Sequence, residues 1–276
     1  MDEIKTHAVR EVHENRDDAD AYAEEIRNIG YTVVESGISA DELELMRRKI
    51  DDIYELQVRE IGGEEELQRI NDADLVRCII GYDDYFLKPA AHPLIVAVTR
   101  KLLGENFILM SQNAIINRPA DAHYQLTWHR DLNYQHYVSS RPLAVSALYA
   151  IDDFTEETGG TWLIPASHKS EEFPSADYLH RHSKQLTAPA GSILLFDAMV
   201  YHRAGVNRSG RLRRSLNHIY CVPMIQQQIS LPSMLGGKFS DDPFLRMFLG
   251  YETETGRSVQ EWRARKLAQA ERLVKA

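Results

Sequence analysis

Residues 106–224 form a series of short apolar or alternating runs, and this pattern limits the possible folds more than any other feature of the chain. Pro, Gly, Asn and Asp separate the runs, and these residues are typical of turns. The spacing between turns is that of a β-sandwich or barrel. An all-β core is therefore predicted from NFILMSQNAIINRP, HYQLTWHRD, PLAVSALYAID, TWLIPAS, KQLTAPAG, SILLFDA and RRSLNHIYCVPM.

Helical patterns flank this core on both sides. Ser39 and Glu42 fit a capping box at the start of a long amphipathic run that ends at Gly62 and Gly63. Further helices are predicted over residues 18–30, 92–104 and 258–275, and a short strand over 31–37. The fold class is thus mainly β with flanking α-helices. We expect one domain over residues 1–276, with a mainly helical region at 1–105, the core at 106–224 and a helical region at 225–276.

Charge, cysteine content and hydropathy exclude several classes of protein. The formal net charge of −9 argues against a general binder of nucleic acid or anionic membranes, which needs a cationic surface. The two cysteines lie far apart in sequence, which fits a reducing compartment. No apolar run approaches the ~20 residues of a membrane span, and the first residues lack a signal-peptide core. We therefore expect a cytoplasmic protein whose partner is a small-molecule substrate.

The stretch TWHRD, residues 127–131, holds a His-x-Asp triplet that could bind a metal ion. If it is a strand, His129 and Asp131 project from one face and Arg130 from the other. A third ligand must come from elsewhere, and His202 follows directly after the apolar strand 192–196. Two histidines and one carboxylate on one face of an octahedral ion are typical of non-haem Fe(II) oxygenases. A lone His-x-Asp is common by chance, so the prediction depends on the whole set.

An arginine pair lies eleven and twelve residues after His202, where another strand begins. An arginine on an interior strand is costly unless it meets an anion, and its planar guanidinium matches a carboxylate bidentately. Arg213 is the preferred candidate. Arg214 is the alternative, because a shift of one residue in strand register exchanges the two.

These features together resemble the phytanoyl-CoA dioxygenase-like family of Fe(II)/2-oxoglutarate oxygenases. His129, Asp131, His202 and Arg213 match the family pattern in type, order and final spacing, and HRAGVNRSGRLRR is similar to its distal-histidine region. GYTVVESGISADELELMRRKI resembles its N-terminal strand and helix. DDFTEETGGTWLIPASHKS resembles the segment between the ligand motifs, with Ala166 where the family typically has Gly. The resemblance covers about residues 20–225.

The resemblance implies a double-stranded β-helix of the jelly-roll, cupin-like type in a catalytic domain. It implies that His129, Asp131 and His202 hold Fe(II) and act in catalysis, and that Arg213 binds the far carboxylate of 2-oxoglutarate. The expected reaction consumes O2, releases succinate and CO2, and hydroxylates or otherwise oxidises an unactivated C–H bond. Gln112 lies where some relatives bind the co-substrate, although a plain polar strand position is equally compatible. Asp131 argues against a halogenase, in which a small residue replaces the carboxylate.

The substrate is less constrained by the sequence. Relatives place substrate-facing residues just after the His-x-Asp triplet, which here are Asn133, Tyr134 and His136; an exposed loop is the alternative. The segment 81–88 could form a lid or a surface turn. The diversity of the family favours a small metabolite of secondary metabolism.

Two other functions remain open at this point. One is a cupin-like metal-dependent oxygenase or isomerase that does not use 2-oxoglutarate and has no need of Arg213. The other is a non-catalytic β-barrel binding module with a metal site that is inert to oxygen.

Overall fold

The structure is a computed structural model that describes residues 5–10, 12–119, 124–133 and 135–275. Its strands are β1 (Tyr31–Glu35), β2 (Leu75–Val76), β3 (Ile108–Asn117), β4 (Ala144–Ala150), β5 (Trp162–Leu163), β6 (Lys184–Gln185), β7 (Ser192–Asp197), β8 (His202–Arg203) and β9 (Arg213–Cys221). Its α-helices are α1 (Asp18–Ile29), α2 (Ala40–Ile61), α3 (Glu64–Arg69), α4 (Leu87–Ala90), α5 (Pro93–Leu103), α6 (Ala176–His182), α7 (Leu231–Leu235), α8 (Pro243–Phe248) and α9 (Val259–Lys275).

The strands form two antiparallel sheets. The larger sheet has the order β1-β7-β4-β9-β3-β2, and the smaller one has the order β6-β5-β8. Leu148, Leu194 and Phe196 of the larger sheet share a buried cluster with Leu163 and Val200 from the side of the smaller one. The two sheets therefore face each other across an apolar interior, as the fold class predicted.

Helices cover the other face of the larger sheet. Successive strand residues point to opposite faces, so Ala147 and Tyr149 of β4 pack into the core of the helical layer while Leu148 points to the smaller sheet. Residues of α1, α2 and α5 belong to that same core, among them Ile26, Ile50 and Val98. Both faces of the larger sheet are thus buried.

Helix ends follow the predicted chemistry. Ser39 and Glu42 make the reciprocal hydrogen bonds of a capping box at the start of α2. Gly30 ends α1 with a φ of 92°, and a Cβ there would lie 2.6 Å from Val200 Cγ2 and 2.7 Å from His168 Nδ1. Only glycine fits this position, because the backbone is left-handed and the neighbouring side chains leave no space.

One predicted strand is wrong. Residues 127–131 do not form a continuous strand but meet β8 at a single isolated bridge between His129 and His202. Asp131 N, the next backbone donor on the same edge of the segment as His129 N, bonds to Ala198 O just after the end of β7 rather than to β8. The ladder ends because the segment changes partners between these two residues.

Among the described helices, none combines the length and apolar character needed to cross a bilayer. That all 276 residues form one catalytic domain stays a prediction.

Candidate metal and co-substrate site

His129, Asp131 and His202 come together in the wall of a cavity of about 400 Å³ between the two sheets. One ligand atom from each residue lies within 4.8 Å of the other two, and His202 Nε2 is 3.6 Å from Asp131 Oδ1. The bridge between His129 and His202, with two N–H···O distances of 3.0 Å, sets the two histidines side by side. The triplet and the distant histidine thus form one potential metal-binding group.

Backbone carbonyls orient both imidazole rings. His129 Nδ1 lies 2.8 Å from Thr127 O, and His202 Nδ1 lies 3.0 Å from Val200 O. An Nδ1–H that donates to a carbonyl leaves the Nε2 lone pair available to a metal ion. Burial and the nearby His129 lower the pKa of His202 to about 4, so this ring is neutral at physiological pH. Both rings are therefore arranged as ligands.

The carboxylate is oriented as well. Ser146 of β4 donates its hydroxyl hydrogen bond to Asp131 Oδ2. This contact leaves Oδ1, the oxygen nearest His202, available to an ion. The donor set of two imidazole nitrogens and one carboxylate oxygen fits a divalent iron ion with open coordination positions.

Arg213 lines the same cavity from β9. Its side chain is buried, with 2% exposure, and its Nε has no hydrogen-bond partner among the described residues. The guanidinium carbon lies 4.4 Å from the centre of the Phe154 ring. Burial lowers the pKa of Arg213 to about 10, which leaves the group charged at neutral pH. No acid in the described part of the chain contacts this guanidinium, and a buried cation without an acidic partner is costly, so the position is suited to an anionic ligand.

Arg214, the alternative, faces the helical layer. Its guanidinium donates to both carboxylate oxygens of Asp51 at 2.7 Å and to Asp152 Oδ2 at 3.0 Å. These two acids already satisfy the charge of Arg214. The geometry therefore favours Arg213 as the residue that meets a ligand.

Gln112 is not brought to the cavity. It is 1% exposed on the face of β3 that meets the helical layer. Its Oε1 accepts from Ile80 N at 3.0 Å, while its Nε2 donates to Phe86 O at 2.8 Å and lies 2.8 Å from His218 Nε2. All of its polar atoms are used within the protein, so the structure supports the plain strand position rather than a co-substrate contact.

The predicted substrate residues Asn133 and His136 differ in whether they line the cavity. Asn133 is exposed and lines the cavity, whereas His136 is exposed and does not line it. Tyr134 lies outside the described residues. The segment 81–88 packs in the helical layer, where Phe86 is fully buried, and it does not reach the cavity. It is neither a lid nor a simple surface turn.

Several cavity residues were not predicted from the sequence. Asn113 and Asn217 lie opposite each other on β3 and β9, and the buried Oδ1 of Asn217 has no hydrogen-bond partner among the described residues. Gln228 accepts a hydrogen bond from Asn113 at 3.1 Å and also lines the cavity. Together these three amide side chains form a polar part of the cavity wall. The signal that could have found Asn217 is strand parity, since it lies four residues after Arg213 and shares its face.

Solved structures with a similar fold include proteins that bind 2-oxoglutarate. The structure of EctD from S. alaskensis with 2-oxoglutarate and 5-hydroxyectoine is 23% identical, has a TM-score of 0.61, and aligns over 73% of this chain and 75% of its own. The epimerase SnoN in complex with Fe3+, alpha ketoglutarate and nogalamycin RO is 18% identical, with a TM-score of 0.55 over 75% and 84% of the two chains. The predicted double-stranded β-helix fold is confirmed. The cofactors predicted from the sequence also occur in these neighbours, since both hold 2-oxoglutarate and SnoN holds iron as well.

Sequence comparisons extend over most of the chain. An uncharacterised protein of Mycobacterium tuberculosis, Rv1501, is 31% identical over 228 residues, which cover 81% of this chain and 82% of that protein. The family model of phytanoyl-CoA dioxygenase matches residues 26–215, a range that includes the triad and Arg213. The resemblance noted in the sequence is thereby confirmed: this chain belongs to the phytanoyl-CoA dioxygenase family.

Proposed function

We propose that this protein is an Fe(II)- and 2-oxoglutarate-dependent oxygenase that oxidises an unactivated C–H bond of a small molecule. One observation carries the proposal: a His–Asp–His group with oriented ligand atoms and a buried guanidinium that contacts no acid among the described residues line a single cavity. The triad accounts for the metal, and Arg213 accounts for the far carboxylate of the co-substrate.

Each side chain has a defined task in this proposal. His129 Nε2, Asp131 Oδ1 and His202 Nε2 would hold the ion, and the guanidinium of Arg213 would bind and orient 2-oxoglutarate through a charged hydrogen-bonded pair. Bound iron and 2-oxoglutarate supply the activation of O2 and the oxidation of the substrate, with release of succinate and CO2. Leu148, Phe196 and Ile219 line the cavity and limit the access of water to it.

The remaining wall of the cavity indicates a substrate that is partly polar. Asn113, Asn217 and Gln228 offer amide groups, while Met110 and Ile219 offer apolar surface. We propose a compact metabolite of secondary metabolism, in keeping with SnoN, whose ligand is nogalamycin RO. Hydroxylation is the proposed outcome. Because SnoN is an epimerase, product analysis should also include stereochemical inversion.

Anaerobic titration tests the metal and co-substrate assignment. Addition of Fe(II) and 2-oxoglutarate to the wild-type protein should produce a visible charge-transfer absorption band, and admission of O2 should yield succinate. Asp131→Ala should lose both signals. Wild-type protein that shows neither the band nor succinate would overturn the proposal.

A matched pair of variants tests the role of Arg213. Arg213→Lys should raise the Kd of 2-oxoglutarate about 10- to 100-fold, since hydrogen bonds between charged groups contribute roughly 1.5–3 kcal/mol. Arg214→Lys makes the same chemical change on the opposite face of β9 and should leave this Kd unchanged. An Arg213→Lys protein with wild-type affinity would favour the cupin-like enzyme that does not use 2-oxoglutarate.

A further inference from the structure

Arg130, which lies between the predicted metal ligands His129 and Asp131, is a buried arginine whose guanidinium is bonded to backbone carbonyls. Arg130 is 6% exposed, and it makes no ion pair with a described acid within hydrogen-bonding distance. Its Nε donates to Met199 O at 2.8 Å, and its Nη2 donates to Ser167 O at 3.1 Å and to Ser170 O. Burial of a guanidinium is costly, and here backbone carbonyls compensate for much of that cost.

One of these carbonyls, that of Met199, belongs to the segment that leads into the third ligand, and the other two belong to the turn at residues 167–170, which packs against that segment. Met199 lies three residues before His202, and the guanidinium carbon of Arg130 lies 3.8 Å from the ring centre of Tyr201, the residue next to His202. Ser167 also accepts a hydrogen bond on its Oγ from Tyr201 N at 2.9 Å. One side chain thus connects the segment that carries His129 and Asp131 to the segment that carries His202.

Few backbone contacts hold the same two segments together. In the described residues they share the two hydrogen bonds of the isolated bridge, the bond from Asp131 N to Ala198 O at 3.0 Å and the bond from Ala204 N to Gln125 O at 2.8 Å. A continuous strand pair would add further ladder bonds on both sides. The spacing of the ligands therefore depends strongly on side-chain contacts behind them.

We infer that Arg130 is a positioning residue that sets the distance and angle between the His129–Asp131 pair and His202, and so determines metal affinity. This inference rests on the proposed function only in taking the triad as the metal site. Lysine cannot replace arginine here, because an ammonium group is a point donor whereas the guanidinium donates in several fixed directions.

Arg203 provides a matched control. It is the neighbour of His202, and its guanidinium carbon lies 5.2 Å from the Trp128 ring centre and 5.6 Å from that of Trp162. Its Nε has no hydrogen-bond partner among the described residues. Lysine retains the cation–π contact, so Arg203→Lys makes the same chemical change next to a ligand without removing carbonyl contacts.

The experiment measures the affinity for Co(II), a redox-stable substitute for Fe(II), through its visible absorption. Arg130→Lys should raise the Kd of Co(II) about 10-fold or more and alter the shape of the absorption spectrum. Mutation of residues that orient metal ligands typically lowers metal affinity by about 10- to 100-fold. Arg203→Lys should bind within about twofold of wild type. A merely structural role of Arg130 would lower the melting temperature and leave the Kd and spectrum unchanged, and that result would overturn the inference.

Two further variants keep the outcome decisive. If Arg130→Lys does not fold, Tyr201→Leu removes the ring beneath the guanidinium and should raise the Kd by about threefold or more; wild-type affinity would overturn the inference. His202→Ala should abolish binding at this site. If His202→Ala binds Co(II) as tightly as wild type, the assignment of the metal site has failed rather than the role of Arg130.

Discussion

Ser146 holds one oxygen of Asp131 by a hydrogen bond and thereby turns the other oxygen toward His202. The serine is fully buried in the middle of β4, between two strands of the larger sheet. The orientation of the only carboxylate in the proposed ligand set is therefore controlled by a rigid part of the fold rather than by the loop that carries Asp131.

Ser146→Ala should weaken metal binding without unfolding the protein. Loss of the hydroxyl frees Asp131 to rotate, and we expect a rise of about 10-fold in the Kd of Co(II). Titration by visible absorption measures this change. Ser192→Ala is the control, since Ser192 is buried in β7 and is not among the residues that line the cavity. Equal Kd values for the two variants would show that Ser146 does not orient the carboxylate.

Gln112→Met should lower stability and leave co-substrate binding unchanged. The substitution leaves Ile80 N without its buried acceptor, and we expect a loss of about 1–3 kcal/mol in the free energy of unfolding. Denaturant unfolding measures this loss, and calorimetric titration with 2-oxoglutarate should give a wild-type Kd. A large rise in that Kd would instead restore Gln112 as a co-substrate ligand.

Acid should destabilise the protein through His218. Burial lowers the pKa of this fully buried imidazole to about 3 in the folded state, from an ordinary value near 6.5. Between these two values the unfolded chain binds a proton that the folded protein does not. Stability therefore falls as the pH decreases, by up to about 1.4 kcal/mol per pH unit from this residue alone.

His218→Leu removes this contribution, so the free energy of unfolding should depend less steeply on pH between about 6 and 4. Urea unfolding at several pH values measures the slope. His182→Leu, at an exposed histidine of α6, is the control and should retain most of the wild-type slope. A His218→Leu protein with the full wild-type slope would contradict the prediction.

Ala166→Gly should stabilise the protein. Ala166 is exposed and has a φ of 59°, a left-handed conformation that costs a non-glycine residue roughly 1–2 kcal/mol. We expect a rise of about 2–4 °C in the melting temperature. Ala147→Gly, in the middle of β4, should have the opposite effect because glycine weakens strands. A lower melting temperature for Ala166→Gly would show that its methyl group makes a contact worth more than the strain.

The sequence predicted those parts of the fold that depend on local patterns. The capping box at Ser39 and the glycine at the end of α1 were predictable because their chemistry lies within a few residues. The triad and Arg213 were predictable because their order and spacing match a family. The structure brings them into one cavity, although their roles stay predictions until metal and co-substrate binding are measured.

The face to which a polar strand residue points was not predictable. Both faces of the larger sheet are buried, so the alternation that normally separates an inner from an outer face is absent from β3 and β9. A register shift between Leu109 and Ser111 further obscures the parity of β3. Gln112 could be assigned to the helical layer only from the strand pairing, and Asn217 could be assigned to the cavity only once Arg213 rather than Arg214 is known to face it.

The ion pairs of Arg214 with Asp51 and Asp152 have a consequence for how the chain folds correctly. Neighbouring arginines at the start of β9 make a one-residue slip chemically plausible, since either could enter the sheet interior. In a slipped strand, however, the hydroxyl and amide groups of β9 would meet the helices, and His218 would enter the cavity. The ion pairs of Arg214, together with the polar side chains that follow it on β9, therefore stabilise the native register relative to a slipped one.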